Sequence, residues 1–133
     1  MSLELVPLCT ATVSLADTIT VSPSLVIGEV TGLRLEGERL SGDLLGQAAA
    51  DWLQVSPEGH GVLDVKVTFK TDDGAIVHAT YSGRLLFDTM TVYATPQFHT
   101  GDERYQWLNR VQAVAKGHFP EANKLVYEMY ELN

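Results

Sequence analysis

Asp64 and Lys66 lie two residues apart in the run Val62 to Lys70, and on a strand that spacing puts both side chains on one face. A carboxylate and an ammonium so placed can act together, the acid moving a proton and the cation holding the resulting charge. The opposite face, Leu63, Val65, Val67 and Phe69, is wholly apolar, so the simpler reading makes the pair part of a solvated outer face. Asp51 precedes Trp52, and a carboxyl group against an indole can have its pKa raised far enough for acid catalysis; Trp52 itself more often serves as a core or rim plug. Tyr81 and Tyr93 carry phenols able to donate to a carbonyl or a developing enolate, or they simply pack their rings. Arg34, between Leu33 and Leu35, suits a ligand carboxylate held bidentately, and a surface salt bridge is its commoner use. His99 carries an imidazole, the side chain most often used as a general base, and is a candidate base or else an exposed loop residue.

These residues define an expected site. Asp51, Asp64 and Tyr81 are its candidate catalytic groups, and Arg34, Trp52, Lys66, Tyr93 and His99 its candidate ligand-binding groups. No metal is expected, because His60, His78, His99 and His118 have no His-x-His or His-x-x-x-His spacing. No cofactor is expected either. His60 lies between Gly59 and Gly61 without the glycine that would complete a dinucleotide loop, and there is no Walker loop or Gly-x-Ser-x-Gly elbow.

The elements that must position such a site are strands. Apolar and polar residues alternate through most of the chain, most clearly over Val62 to Lys70. That run ends at Thr71-Asp72-Asp73-Gly74, whose Asp-Gly pair favours a tight hairpin, and Ala75 to Ser82 returns antiparallel. Further strand-like runs are Leu5 to Leu15, Thr18 to Val21, Gly28 to Leu35, Arg39 to Leu45, Arg84 to Thr95, Val111 to Gly117 and Leu125 to Leu132. Many short strands separated by turn residues favour a barrel or a sandwich. Glycines at 28, 32, 37, 42 and 46 favour bent strands and hence closure. One helix is predicted, capped by Thr100 with Glu103 three residues on, and ending near Asn109 or Arg110.

Composition narrows the partners. At 133 residues, 45% hydrophobic and 20% charged, the chain has the size of one domain, 1–133, with a real core. A net charge of −8 offers no field to draw in nucleic acid or anionic lipid, and no apolar run reaches the ~20 residues of a membrane-spanning helix. The single Cys9 and the absence of a basic-then-apolar leader give a cytoplasmic expectation. Aliphatic residues along several strands allow pairing of copies, and a dimer or trimer is expected.

From Gly32 onward several motifs fall in a familiar order: Asp51-Trp52-Leu53, Leu63-Asp64-Val65, Asp72-Asp73-Gly74-Ala75, Tyr81-x-Gly83, and Phe98-x-Thr100-Gly101-Asp102-x-Arg104-Tyr105-x-Trp107-Leu108-Asn109-Arg110. In these the chain resembles the domain-of-unknown-function family three-two-three-seven. The resemblance implies a small β-barrel similar to the allene oxide cyclase and dirigent barrels, with no activity generally established. His99 replaces a usual acidic residue, Lys66 a usual arginine, and Val92-Tyr93-Ala94-Thr95 a Tyr-Phe-Arg-Thr-like run. The expected fold is thus all-β, a closed antiparallel barrel of about eight strands with one short helix near 102–110. The expected function is binding a small hydrophobic or aromatic molecule, with cofactor-independent isomerase, cyclase or lyase chemistry on it. The alternatives are a ligand carrier, or an assembly module whose barrel its own side chains fill.

Overall fold

In a computed structural model that describes all 133 residues, the alternation of the sequence becomes inside and outside. Strand β6 (His60–Thr71) buries Leu63, Val65, Val67 and Phe69 and leaves Asp64, Lys66 and Lys70 exposed. It turns at Asp72-Asp73-Gly74 into β7 (Ile76–Leu86), pairing from His60↔Leu86 to Lys70↔Ile76. Thr71 locks the turn, its hydroxyl accepting from Ala75 N at 2.7 Å and donating to Asp73 Oδ1 at 2.6 Å.

The remaining strands are β1 (Leu5–Leu15), β2 (Ile19–Ser22), β3 (Leu25–Glu36), β4 (Gly42–Leu44), β5 (Ala50–Val55), β8 (Thr91–Ala94), β9 (Gln97–His99), β10 (Ala113–Glu121) and β11 (Lys124–Leu132). Eight of them form a closed antiparallel ring in the order β6-β5-β3-β1-β11-β10-β8-β7, sealed by the β6–β7 pairing. Strands β2, β4 and β9 extend the ring at its two ends. An eight-stranded ring has no free edges in its body and an interior just wide enough to be filled by side chains or to hold one small ligand. No helix is long and apolar enough to cross a membrane.

Closure depends on a close approach at Gly42, where a Cβ would stand 2.4 Å from the Lys70 carbonyl oxygen. The expected barrel is what forms, with local differences. The run Arg39 to Leu45 yields only Gly42–Leu44, because β4 fills a short gap between β3 and β6. The run Arg84 to Thr95 is two strands, broken by a turn at Phe87–Met90 where Met90 takes φ 49°. Strand β5 forms outside the strand-like runs read from the sequence.

One end of the barrel is stoppered. The segment Glu103–Arg110 is a 3₁₀ helix in two short turns that meet at Tyr105, whose φ −122°, ψ 17° is not helical; 3₁₀ hydrogen bonding rarely runs longer than 3–4 residues unbroken. Its N-cap is Asp102 rather than the expected Thr100, with the Asp102 carboxylate accepting from Arg104 N at 3.0 Å. The Thr100 hydroxyl, ahead of the helix, accepts from Asp102 N at 3.2 Å and donates to Ile76 O at 2.7 Å, tying the helix entrance to β7. Leu108 is fully buried beneath it. Asn109 joins the two ends of the plug: its Oδ1 accepts from Thr100 N at 2.8 Å and its Nδ2 donates to Thr100 O at 3.0 Å. Loss of both bonds in Asn109→Ala is expected to lower unfolding free energy by about 1–2 kcal/mol, read from urea denaturation; an unchanged midpoint would show that the plug is held by Leu108 alone.

Candidate functional site

The barrel is packed at the plugged end and hollow at the other. Toward the plug, Leu35, Phe69, Phe98 and Met129 leave a void of only about 30 Å³, with Phe69 and Phe98 edge to face at 6.4 Å between ring centres. Toward the opposite end lies a cavity of about 380 Å³. Its walls are apolar, including Val13, Val30, Leu53, Leu63, Val65 and Leu85, and Leu15, Thr18, Phe87, Met90 and Phe119 stand where the strand ends form its mouth. Below Thr18, the polar side chains lining it are Asp51, Tyr81 and Tyr127.

Register explains why these three meet. Asp51 pairs with Val65, Val65 with Tyr81, and on the other side Asp51 pairs with Gly28. Gly28, Asp51, Val65 and Tyr81 therefore form one inward row across β3, β5, β6 and β7. Two strand spacings put the Asp51 and Tyr81 backbones roughly 10 Å apart, a gap that converging side chains shorten. Tyr127 enters from β11, its ring edge to face with Tyr81 at 5.9 Å between centres. Gly117, opposite Tyr127 on β10, leaves room for that ring, since a Cβ there would come within 2.8 Å of it. The two rings form the cavity floor above the packed half.

Each polar group in the cavity is perturbed. Burial pushes the Asp51 carboxyl up to about 6; a hydrogen bond from Asp64 N to Oδ1 at 3.0 Å opposes the rise, and the Asp64 charge adds to it. The β5–β6 pairing skips Trp52 and Leu53, opposite Asp64 and Leu63, where that N–H turns to the carboxylate. Burial, together with the nearby Asp51 charge, pushes the Tyr81 phenol up to about 12 despite an opposing influence of the Tyr127 hydroxyl. Burial raises Tyr127 well above the ordinary phenol value, with Tyr81 and Asp51 adding to the rise. The Tyr127 hydroxyl is buried and has no hydrogen-bond partner; the Tyr81 hydroxyl is near it without meeting hydrogen-bond geometry. The site is thus an apolar chamber holding one carboxyl group able to gain or lose a proton near neutrality and two phenols that remain protonated.

Of the eight residues the sequence singles out, the structure brings Asp51 and Tyr81 together here and places the others on the outer surface. Asp64 reaches the site only through its backbone N–H, its side chain pointing outward beside exposed Lys66. Trp52 is 43% exposed, since the strand that turns Asp51 inward turns its neighbour out; it continues an outer row with Ile27 and Ile19. Arg34 lies outside on β3, held by Asp72 at 2.7 and 3.0 Å and by Asp43 at 3.2 Å. Tyr93 is exposed beneath the Lys116 ammonium, 5.7 Å from its ring centre. His99 is exposed on β9, opposite His78. Cys9 is buried, and burial followed by the Glu128 charge pushes its thiol up to about 12, leaving it a poor nucleophile.

Sequence reading passed over Tyr127 and Gly28. Tyr127 shares a face with Leu125 and Met129 on β11, a signal that it points inward but not that its hydroxyl would meet Tyr81. Gly28 reads as a bend, yet a Cβ there would meet nothing within 4 Å; it borders empty space.

A family profile described as "protein of unknown function (DUF3237)" matches residues 3–132. A curated relative, a UPF0311 protein of Rhodopseudomonas palustris (strain TIE-1), is 33% identical over 95 residues, covering 59% of this chain and 61% of the relative's own length. A solved β-barrel-like protein from Acinetobacter baumannii AYE superposes with a TM-score of 0.88 at 27% identity, covering 100% of this chain and 98% of that one. A structure described as an enzyme from Penicillium herquei superposes at 0.72 with 24% identity, covering 99% and 94%; at that identity the likeness shows the fold alone.

Proposed function

The chain belongs to the DUF3237 family, described as of unknown function, and we propose from the geometry of its own cavity that it binds one small, largely apolar molecule inside the barrel, with Asp51 able to move a proton on it. The observation that carries this reading is the 380 Å³ cavity, apolar except at its mouth and around Asp51, Tyr81 and Tyr127. That volume falls at the lower end of the ~300–1,000 Å³ of small-molecule pockets. A hydrophobic ligand gains from leaving water in proportion to its apolar area, and the few polar groups orient it. A filled assembly module has no use for such a space, nor for a carboxyl group kept inside it.

Titration with the uncharged fluorophore N-phenyl-1-naphthylamine tests this directly. Saturable fluorescence enhancement with one site per chain is expected, and the dye should be displaced by compact hydrocarbons such as tetralin. Enhancement that fails to saturate, or that hydrocarbons do not reverse, would mean the barrel interior is not a binding site.

A further inference from the structure

Tyr127 presents a contradiction that the bare chamber leaves unresolved. Its hydroxyl is buried in an otherwise apolar interior with no partner, a state that costs about 1–3 kcal/mol relative to one that is satisfied. Phenylalanine would pack in the same place without that cost. The Tyr127 side chain contributes to the cavity lining, at the floor beside Tyr81 and across from the inward row that carries Asp51. Two phenolic donors and one carboxyl group therefore converge on one end of an apolar chamber, and no cationic side chain lines it.

Resting on the reading of the barrel as a binding cavity, we propose that its ligand is a neutral, largely apolar carbonyl compound, whose oxygen accepts hydrogen bonds from Tyr127 and Tyr81 while Asp51 exchanges a proton at the carbon next to the carbonyl. The step is enolisation. The Asp51 carboxylate takes the α-proton; the C–H electron pair becomes the C=C bond; and the carbonyl π pair moves to the oxygen, where the two phenols hold the developing charge. Return of the proton from the Asp51 carboxyl to the same carbon restores the ketone, and return to a conjugated γ-carbon isomerises an enone. Atoms and electrons balance without any further reactant.

Electrostatics favour this ligand class over its competitors. A carboxylate or phosphate ligand would sit beside Asp51 with no cation to offset either charge, whereas a neutral carbonyl supplies the acceptor that the unpartnered hydroxyl needs. Burial keeps both phenols protonated through the physiological range, so they remain donors. It also brings Asp51 near the ambient pH, where a carboxylate is a better base than at its ordinary value. Fixed donors in a water-poor site need little reorganisation as charge builds on the oxygen.

The test compares 2-tetralone with tetralin, the same skeleton without the oxygen, by dye displacement, and follows α-proton exchange of 2-tetralone in D2O by NMR. The ketone is expected to bind the unaltered chain about tenfold more tightly than the hydrocarbon. Tyr127→Phe, which removes one of the two donors, should lower that ratio about threefold or more while leaving tetralin binding in place. Asp51→Asn should keep the ratio and slow catalysed exchange by about 100-fold or more. If tetralin binds and the ketone gains nothing, or if Tyr127→Phe leaves the ratio intact, carbonyl recognition is wrong while the cavity reading stands. If the ratio behaves as expected but Asp51→Asn exchanges protons as fast as the unaltered chain, the enolisation step is wrong. If neither compound binds, the cavity reading itself falls.

Discussion

Gly28→Phe is expected to reduce N-phenyl-1-naphthylamine affinity by ~100-fold or more while the chain unfolds at the same or a higher urea concentration. Gly28 sits in the inward row beside Asp51, and a Cβ built on it meets nothing within 4 Å. A phenyl ring at that position can only grow into the chamber, taking the space a ligand would use. The host should not suffer. A glycine within a strand is a weak point because it packs nothing and surrenders backbone freedom, whereas phenylalanine favours extended backbone and would bury its ring against Val26, Leu53 and Val65 on the cavity wall. Filling an existing void is a common route to added stability. Gly28→Ala is the matched control: one methyl group leaves most of the 380 Å³ open, so the dye should still bind. A Gly28→Phe chain that folds normally and binds as before would place the dye elsewhere on the surface.

The same row shows why the architecture is legible in the sequence and the site only partly so. In β6 and β11 the inward face is apolar apart from the Tyr127 hydroxyl and the Thr71 side chain, and most outward residues are polar, so a period of two locates both strands and their buried sides. Strand β5 reverses the rule: Asp51 points inward and Trp52, the largest side chain of the segment, points out. Alternation sorted by polarity cannot see such a strand, and it reads Asp64, on an orthodox strand, as no different in kind from Asp51. Local rules tend to fail where function requires a polar group in the interior, and here the failure falls on the residue that defines the chamber. Pairing between distant strands is a second gap. That Tyr81 and Tyr127 share a floor follows from ring closure through β8 and β10, and no spacing along the chain encodes it. The helix cap is Asp102 rather than Thr100 because the helical turn begins only at Glu103: Thr100 is fixed outside it, donating to Ile76 O on β7 and accepting from Asp102 N.

Placing a carboxyl group in that chamber should have a thermodynamic signature that is independent of any ligand. Asp51 holds its proton up to about pH 6 in the folded chain against an ordinary 3.8. Between those two values the unfolded chain has released the proton while the folded chain retains it, so the folded state binds more protons and stability falls as pH rises. Above pH 6 the penalty is complete, and below 3.8 both states are protonated and it vanishes. The interval corresponds to a destabilisation of about 2–3 kcal/mol. Asp51→Asn keeps an acceptor for the Asp64 N–H but never ionises. It is therefore expected to be more stable than the unaltered chain by about that amount at pH 8, to match it at pH 3.5, and to gain its advantage between pH 4 and 6, as read from urea unfolding at each pH. Titrating groups remote from Asp51 are common to both chains and cancel in the difference. An advantage that stays constant with pH would mean that the amide packs better rather than that the carboxylate is strained by burial. A residue whose ionisation works against the fold at neutral pH, when asparagine would fill its place, is one retained for something other than stability. The pH profile of Asp51→Asn therefore measures how much stability the chain gives up to keep a carboxyl group inside the barrel.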